Sequence, residues 1–176
     1  MSPTRRDPKL APWRRLGESL AGSFAARAGG LLASEFAIRD REGEDIGHLR
    51  LHGAEGAELE AGGLKARIER SALTGYTMLA GDATILASVP AEAPDTPEIR
   101  CLDRLYRGRL SLLRNTAEAG PAGDEVTVRI KGGLTNRNYG AVFDAGNEGS
   151  LPVAFFLLYL IVTLRRGAYL TGKGRS

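Results

Sequence analysis

The sequence predicts a mainly β protein: a closed antiparallel β-barrel of about nine to twelve strands around a C-terminal hydrophobic α-helix, with an N-terminal amphipathic helix. Three observations support this fold class. Turn signals recur at intervals of about 8 to 12 residues from Glu35 onwards. The stretch from Leu151 to Leu164 is apolar on every side, and a helical period follows Pro12. A chain of 176 residues is expected to form one domain with a sizeable core.

The apolar stretch is predicted to form a helix at about residues 151–166. Ser150 and Pro152 suit its first turn, and Arg165 and Arg166 suit its last turn. A helix that is apolar all round lies either in a protein core or in a membrane. The residues expected to form this central helix surface are Phe155, Phe156, Leu157, Leu158, Leu160 and Ile161.

The length of the apolar stretch favours a protein core. A helix from Leu151 to Leu164 is about 21 Å long, whereas the hydrocarbon core of a bilayer is roughly 30 Å thick and usually needs about 20 apolar residues. The alternative is a spanning helix in which Arg165 and Arg166 snorkel to the interface. The sequence therefore leaves two sites for this helix, the inside of the barrel and lipid.

The strands are predicted between Glu35 and Phe143, where short segments alternate with turns. Leu64 to Arg70 alternates apolar and charged residues and is typical of a half-buried strand. We expect a turn at Arg107-Gly108 and a polar loop over residues 117–124. An open sheet would leave half of the apolar helix exposed, so a closed barrel that surrounds the helix and has no edges is favoured.

Residues 1–34 form a separate compositional block, predicted to be a basic, partly helical extension. Residues 35–167 are then the barrel with its central helix, and residues 168–176 are a polar tail. Apolar residues at helical spacing in the extension are Trp13, Leu16, Leu20, Phe24 and Leu31. A basic amphipathic segment of this kind lies on a membrane or docks on a partner. A marginal helix packed on its own domain, or a disordered leader, is the alternative.

The composition sets the compartment and limits the partners. The formal net charge is +3 and the pI is near 9.2, which permits contact with nucleic acid or anionic lipid without requiring either. No nucleic acid partner is expected. Cys101 is the only cysteine, so an intrachain disulfide is excluded and a reducing cytoplasmic setting is expected. Glu18 and Arg27 interrupt anything that resembles the apolar core of a signal peptide.

The sequence contains none of the common catalytic motifs, GxSxG, HExxH, Walker A or GxGxxG. His48 and His52 share one face of a strand, but Leu49 and Leu51 occupy the other, so both histidines are expected to face solvent rather than a metal. The basic turn at residues 131–138 is either a phosphate-binding nest or an ordinary hairpin. We therefore expect no catalytic residue, no cofactor and no metal, and hence no enzyme.

The densest basic run lies between Arg100 and Arg114. Arg100, Arg104 and Tyr106 share strand parity, which predicts an outward stripe. Such a stripe indicates either a patch for anionic lipid or nucleic acid, or a solvated face balanced by glutamates on neighbouring strands. The candidate lipid contacts in this run and in the N-terminal block are Arg14, Arg15, Arg27, Arg100, Arg104, Arg107 and Arg109.

Two stretches resemble the tubby C-terminal-like superfamily, which includes the LURP-one-related proteins and the phospholipid scramblases. Phe36 to Gly47 is similar to the opening strand-turn-strand of that fold, and Leu151 to Leu160 is similar to its central helix. The resemblance implies a barrel around a helix, no catalytic centre and a link to phospholipid or phosphoinositide surfaces. The acidic calcium-ligand loop and the cysteine-rich stretch of scramblases have no counterpart in this chain.

The function expected from these observations is a non-enzymatic binding or scaffold module in the cytoplasm. Its expected partner is anionic phospholipid at a membrane surface, with a protein partner bound through the N-terminal helix as a further option. One alternative is a membrane protein anchored by the helix at residues 151–164, with a β-rich cytosolic domain. The other alternative is a barrel that binds a small apolar ligand.

Overall fold

The computed structural model describes residues 6–29, 34–71, 75–89, 95–121 and 125–173. Its strands, in chain order, are β1 (Ser23–Ala28), β2 (Glu35–Arg39), β3 (Asp45–Leu51), β4 (Gly56–Ala61), β5 (Leu64–Arg70), β6 (Tyr76–Ala80), β7 (Ala83–Val89), β8 (Glu98–Cys101), β9 (Arg104–Ser111), β10 (Thr116–Pro121), β11 (Val128–Gly132) and β12 (Asn138–Phe143). The helices are α1 (Ala11–Ser19) and α2 (Ser150–Lys173), and short 3₁₀ turns lie at Pro8–Leu10 and Gly53–Glu55.

The twelve strands form one closed barrel of antiparallel neighbours. Each strand pairs with the next along the chain, and the barrel closes because β1 pairs with both β2 and β12. At this closure Ala26 lies between Ile38 on one side and Tyr139 on the other. The predicted mainly β class, with a closed barrel and a helix near each end of the chain, is confirmed.

Helix α2 lies inside the barrel. Every residue from Leu151 to Val162 is at most 8% exposed, so no side of this segment faces solvent. Its aromatic rings contact opposite walls: Phe155 stacks on Phe24 of β1 at 4.6 Å, and Tyr159 meets Tyr76 of β6 edge-on at 5.3 Å. The helix is longer than predicted, and it leaves the barrel after Val162.

Alanines in the wall make room for α2. The inward positions of the strands alternate with exposed ones, as in β1, where Phe24 is buried and Arg27 is exposed. The buried alanines on these strands are Ala26, Ala28, Ala57, Ala61, Ala66, Ala117, Ala119 and Ala141. A small side chain on the wall leaves space for a large one on the helix, and interiors are packed without large voids. The wall and the helix are therefore matched in volume.

Helix α1 covers the end of the barrel at which α2 begins, which we call the plugged end. Trp13 is 1% exposed and its ring meets Phe155 edge-on at 6.4 Å. Leu10 and Leu16 are also buried. The opposite end, where α2 emerges, we call the exit end. The apolar face of α1 is thus used to cover the core of its own domain.

The N-terminal block is not a separate extension. Residues 23–28, predicted to continue a helix through Phe24 and Leu31, form strand β1 and close the barrel. The helix ends because Ala21 and Gly22 adopt positive φ, and a Cβ on Gly22 would lie 2.7 Å from the Phe143 carbonyl oxygen. Leu31 lies outside the described residues.

Two predicted connections are also wrong. The turn expected at Arg107-Gly108 lies instead between β8 and β9, where Leu102 adopts a positive φ of 54°. The loop expected over residues 117–124 includes most of β10. The earlier turn changes the facing of Tyr106, which is 1% exposed and points inward. Arg100 and Tyr106 therefore do not form one outward stripe.

One helix in the described chain, Ser150–Gly167, is long and apolar enough to cross a membrane by length and composition alone. Within that window, 72% of the residues are buried inside the protein. The core helix of a barrel passes the same test, and in this protein the surrounding strands already bury the apolar surface of the helix.

Phe24→Ala tests whether β1 belongs to the wall. Losing a ring stacked on Phe155 should lower the free energy of unfolding by about 3–5 kcal/mol. Arg27→Ala, on the exposed side of the same strand, should change it by less than about 0.5 kcal/mol. Urea unfolding followed by circular dichroism measures both. Equal effects would mean that residues 23–28 are outside the barrel.

Candidate functional site

The structure divides the seven predicted arginines among separate places. Arg14 and Arg104 converge on one carboxylate at the plugged end. A second group, Arg100, Arg107 and Arg109, lies exposed on the outer wall of β8 and β9. The remaining two are exposed and far apart, because Arg15 is on α1 and Arg27 is near the end of β1. A single surface containing all seven does not exist in the described chain.

Glu148 is the carboxylate that gathers Arg14 and Arg104. Its side chain is 5% exposed, and its Oε1 accepts a hydrogen bond from Arg14 Nη1 at 2.9 Å. Arg104 Nη2 lies 3.8 Å from Oε2, and the Asp7 backbone N–H donates to the same oxygen at 3.4 Å. This cluster joins the N-terminal plug, β9 and the loop that leads into α2. The two arginines therefore tie the plug and β9 to the loop before α2.

Two titratable side chains beside this cluster are neutral at physiological pH. Burial raises the pKa of the Tyr106 hydroxyl to about 12, and that hydroxyl donates to Asn147 Oδ1 at 2.6 Å. Burial also raises the pKa of the Cys101 thiol to about 12, so the thiolate needed for nucleophilic chemistry is scarce. Both groups pack the inner wall.

A group of exposed cations, which we call the basic wall, extends across β8 to β11. Its members are Arg100, Arg107, Arg109, Arg129 and Lys131. Glutamates are interleaved with them: Glu98 is opposite Arg107, and Glu118 is opposite Arg109 and accepts a hydrogen bond from Arg129 Nε at 3.0 Å. The wall keeps an excess of positive charge.

The two histidines face outward, as predicted. His48 lies on β3 between Ala37 and Glu60, and the Nε2 atom of His52 is 3.6 Å from Glu58 Oε2. Within the described ranges, no group of three or more His, Cys, Asp or Glu side chains is placed to hold a metal ion. His48 instead borders a shallow charged groove on the outer surface that includes Arg50 and Lys65.

The exit end carries surface features that the sequence did not single out. Leu113, in the turn between β9 and β10, is 94% exposed, and Leu134, in the turn between β11 and β12, is 98% exposed. The second turn belongs to the basic segment at residues 131–138, which forms a hairpin. Neither residue stands out in the sequence, because Leu113 follows Leu112 at the end of an apolar segment and Leu134 is a lone leucine in a polar turn.

Fold and surface together define a class of protein: a closed antiparallel barrel whose interior is occupied by its own C-terminal helix and whose polar chemistry lies outside. No protein-family model matches the chain, and no curated protein matches it either. Among solved structures it is similar to a protein from Arabidopsis thaliana, with 10% sequence identity and a TM-score of 0.53. The match covers 80% of this chain and 89% of that one, and at this identity it shows the fold alone.

Glu148→Ala tests the ion cluster at the plugged end. Removing the buried carboxylate leaves Arg14 and Arg104 without their shared acceptor, so the free energy of unfolding should fall by about 1–3 kcal/mol. Glu18→Ala is the matched control: Glu18 is 3.9 Å from the same Arg14 but 62% exposed, and its loss should cost less than about 0.5 kcal/mol. Thermal unfolding at low salt compares them. A loss of stability in Glu148→Ala no larger than that in Glu18→Ala would contradict a structural role for the cluster.

Proposed function

We propose that this protein is a non-enzymatic binding or scaffold module that contacts anionic phospholipid surfaces. The observation that carries the proposal is that α2 fills the barrel. A barrel with a filled interior meets its partners through its outer surface, and on this surface the basic wall provides exposed cations on adjacent strands. Each Lys or Arg near an anionic leaflet contributes about 1 kcal/mol of attraction.

The basic wall suits a lipid surface better than nucleic acid. Its arginines alternate with glutamates, and the described residues of this wall include no exposed aromatic side chain on which a base would stack. A lipid surface needs only diffuse attraction, which a mixed wall with excess positive charge provides.

The alternatives are less well supported by the same contacts. An anchor in lipid would need the apolar surface of α2, which is in contact with Phe24, Tyr76 and the rest of the wall. A small apolar ligand would need the volume that α2 occupies. A protein partner bound through α1 would need the face on which Trp13 and Leu16 are already buried.

Membership of the tubby C-terminal-like superfamily is part of the proposal. What supports it is the architecture: twelve antiparallel strands around an apolar C-terminal helix, with Phe36 to Gly47 forming a strand, a turn and the start of a second strand. The lipid link that the resemblance implies agrees with the exposed cations of the basic wall.

Vesicle co-sedimentation tests the proposed function. The full chain should bind vesicles of phosphatidylserine and phosphatidylcholine, should not bind pure phosphatidylcholine, and should dissociate as salt rises. Arg100→Gln/Arg107→Gln/Arg109→Gln should weaken binding by about ten- to a hundredfold.

A matched triple on other parts of the surface provides the control. Arg41→Gln/Arg50→Gln/Arg67→Gln removes the same charge, and Arg50 and Arg67 belong to exposed ion pairs whose loss costs little stability. It should bind nearly as well as the wild type. Equal binding by the wild type and both triple variants would show that the basic wall does not contact lipid. Failure of the wild-type chain to bind anionic vesicles would contradict the proposed function.

A further inference from the structure

The exit end presents two almost fully exposed leucines, one on each of two adjoining hairpins. Leu113 and Leu134 are 94% and 98% exposed, and Leu112, next to the first, is 37% exposed. Strands β9 and β11, which carry most of the basic wall, lead directly into these two turns. The two turns at residues 112–115 and 133–137 we call the leucine tips.

The leucine tips are held in fixed positions. The Asn115 side chain donates from Nδ2 to the Gly133 carbonyl at 2.8 Å, and the Gly132 N–H donates to the Asn115 carbonyl at 2.8 Å. Arg165, at the emerging end of α2, donates to both Asn136 Oδ1 and the Leu112 carbonyl. The leucines therefore sit on turns that are tied to each other and to the core helix.

Among the described residues, the charge around the leucine tips is positive. The turns contain Arg114 and Arg137 and no acidic residue, and Lys131 is exposed just before the second turn. Arg165 and Arg166 lie at the same end. The segment before β8 adds one acidic residue, Asp95, whose backbone carbonyl accepts a hydrogen bond from the Leu110 N–H. Elsewhere on this rim, Glu35 and Glu55 lie within ion-pair distance of arginines. Positive charge beside exposed leucines is complementary to an anionic leaflet.

A second copy of the chain fits this end less well. A stable interface buries about 800 Å² per partner, and a few leucine side chains on two turns present far less apolar area. Two such ends facing each other would also bring like charges together. A bilayer imposes neither limit, because each leucine inserts independently and the cations meet lipid phosphates.

We infer that the leucine tips insert Leu113 and Leu134 into an anionic bilayer, so that the barrel docks by its exit end. This inference rests on the proposed lipid-surface function and adds to it the part of the surface that penetrates. The basic wall then provides long-range attraction, and the tips provide the apolar contact that holds the orientation.

Paired substitutions at the two ends of the barrel test the inference. Leu113→Asp/Leu134→Asp should weaken binding of the full chain to phosphatidylserine-containing vesicles by about tenfold or more, because burial of two leucines is lost and charge is added. Ser19→Asp/Thr84→Asp is the control: both side chains are exposed, lie toward the plugged end and are outside the basic wall. This control adds the same charge and should reduce binding much less.

A depth measurement reads insertion directly. Leu134→Trp should be quenched by brominated lipid in the vesicles, whereas Val142→Trp, which is exposed toward the plugged end, and the buried Trp13 should not. Vesicle binding by the wild type with equal losses for both aspartate pairs and no quenching at position 134 would overturn the docking end while leaving the proposed function standing. No wild-type binding would overturn both. A leucine pair that changes the oligomeric state without changing vesicle affinity would make this end a protein interface instead.

Discussion

The structure depends on one constraint: α2 is apolar on every side and must be enclosed on every side. A helix on one face of a sheet leaves half of its surface in water, so only a closed wall satisfies this one. Closure in turn requires β1, whose pairing with β12 joins the two ends of the meander. Small alanines on the inner wall pack against large phenylalanines on the helix and together fill the interior. The wall and the helix therefore stabilise each other.

The same constraint determines where function can lie. With the interior filled and one end covered by α1, polar chemistry is confined to the outer wall and the exit end. Arg14 and Arg104 show why charge alone is a poor guide, since both are directed at Glu148 and fasten the plug. The cations that remain on the surface lie on the strands that lead into the leucine tips. The proposed attraction to lipid and the proposed insertion would thus use one side of the molecule.

The sequence predicted the parts of the fold that depend on local pattern. Helix α2 has no charged residue over the first fourteen positions after Ser150, and Leu64 to Arg70 alternates apolar with charged residues, so both elements could be predicted without knowing what they pack against. Phe24 fits both a helical period and an alternation with Ala26, and only pairing with the distant Ala141 decides between them. The sequence predicts an outward-facing Tyr106, which is wrong, because the turn at Leu102 contains no glycine or proline to mark it. Exposure of Leu113 and Leu134 depends on neighbouring hairpins, which no local pattern reveals.

Native-state hydrogen exchange on α2 tests most directly whether the helix is the core of the barrel. The amides between Val153 and Val162 should exchange only through global unfolding, with the same free energy and denaturant dependence as amides of β11 and β12. A helix that leaves the wall independently, toward lipid or solvent, would exchange through a cheaper local opening while the strands stayed protected. That second result would contradict the enclosure of α2, from which both the filled interior and the placement of function on the outer surface follow.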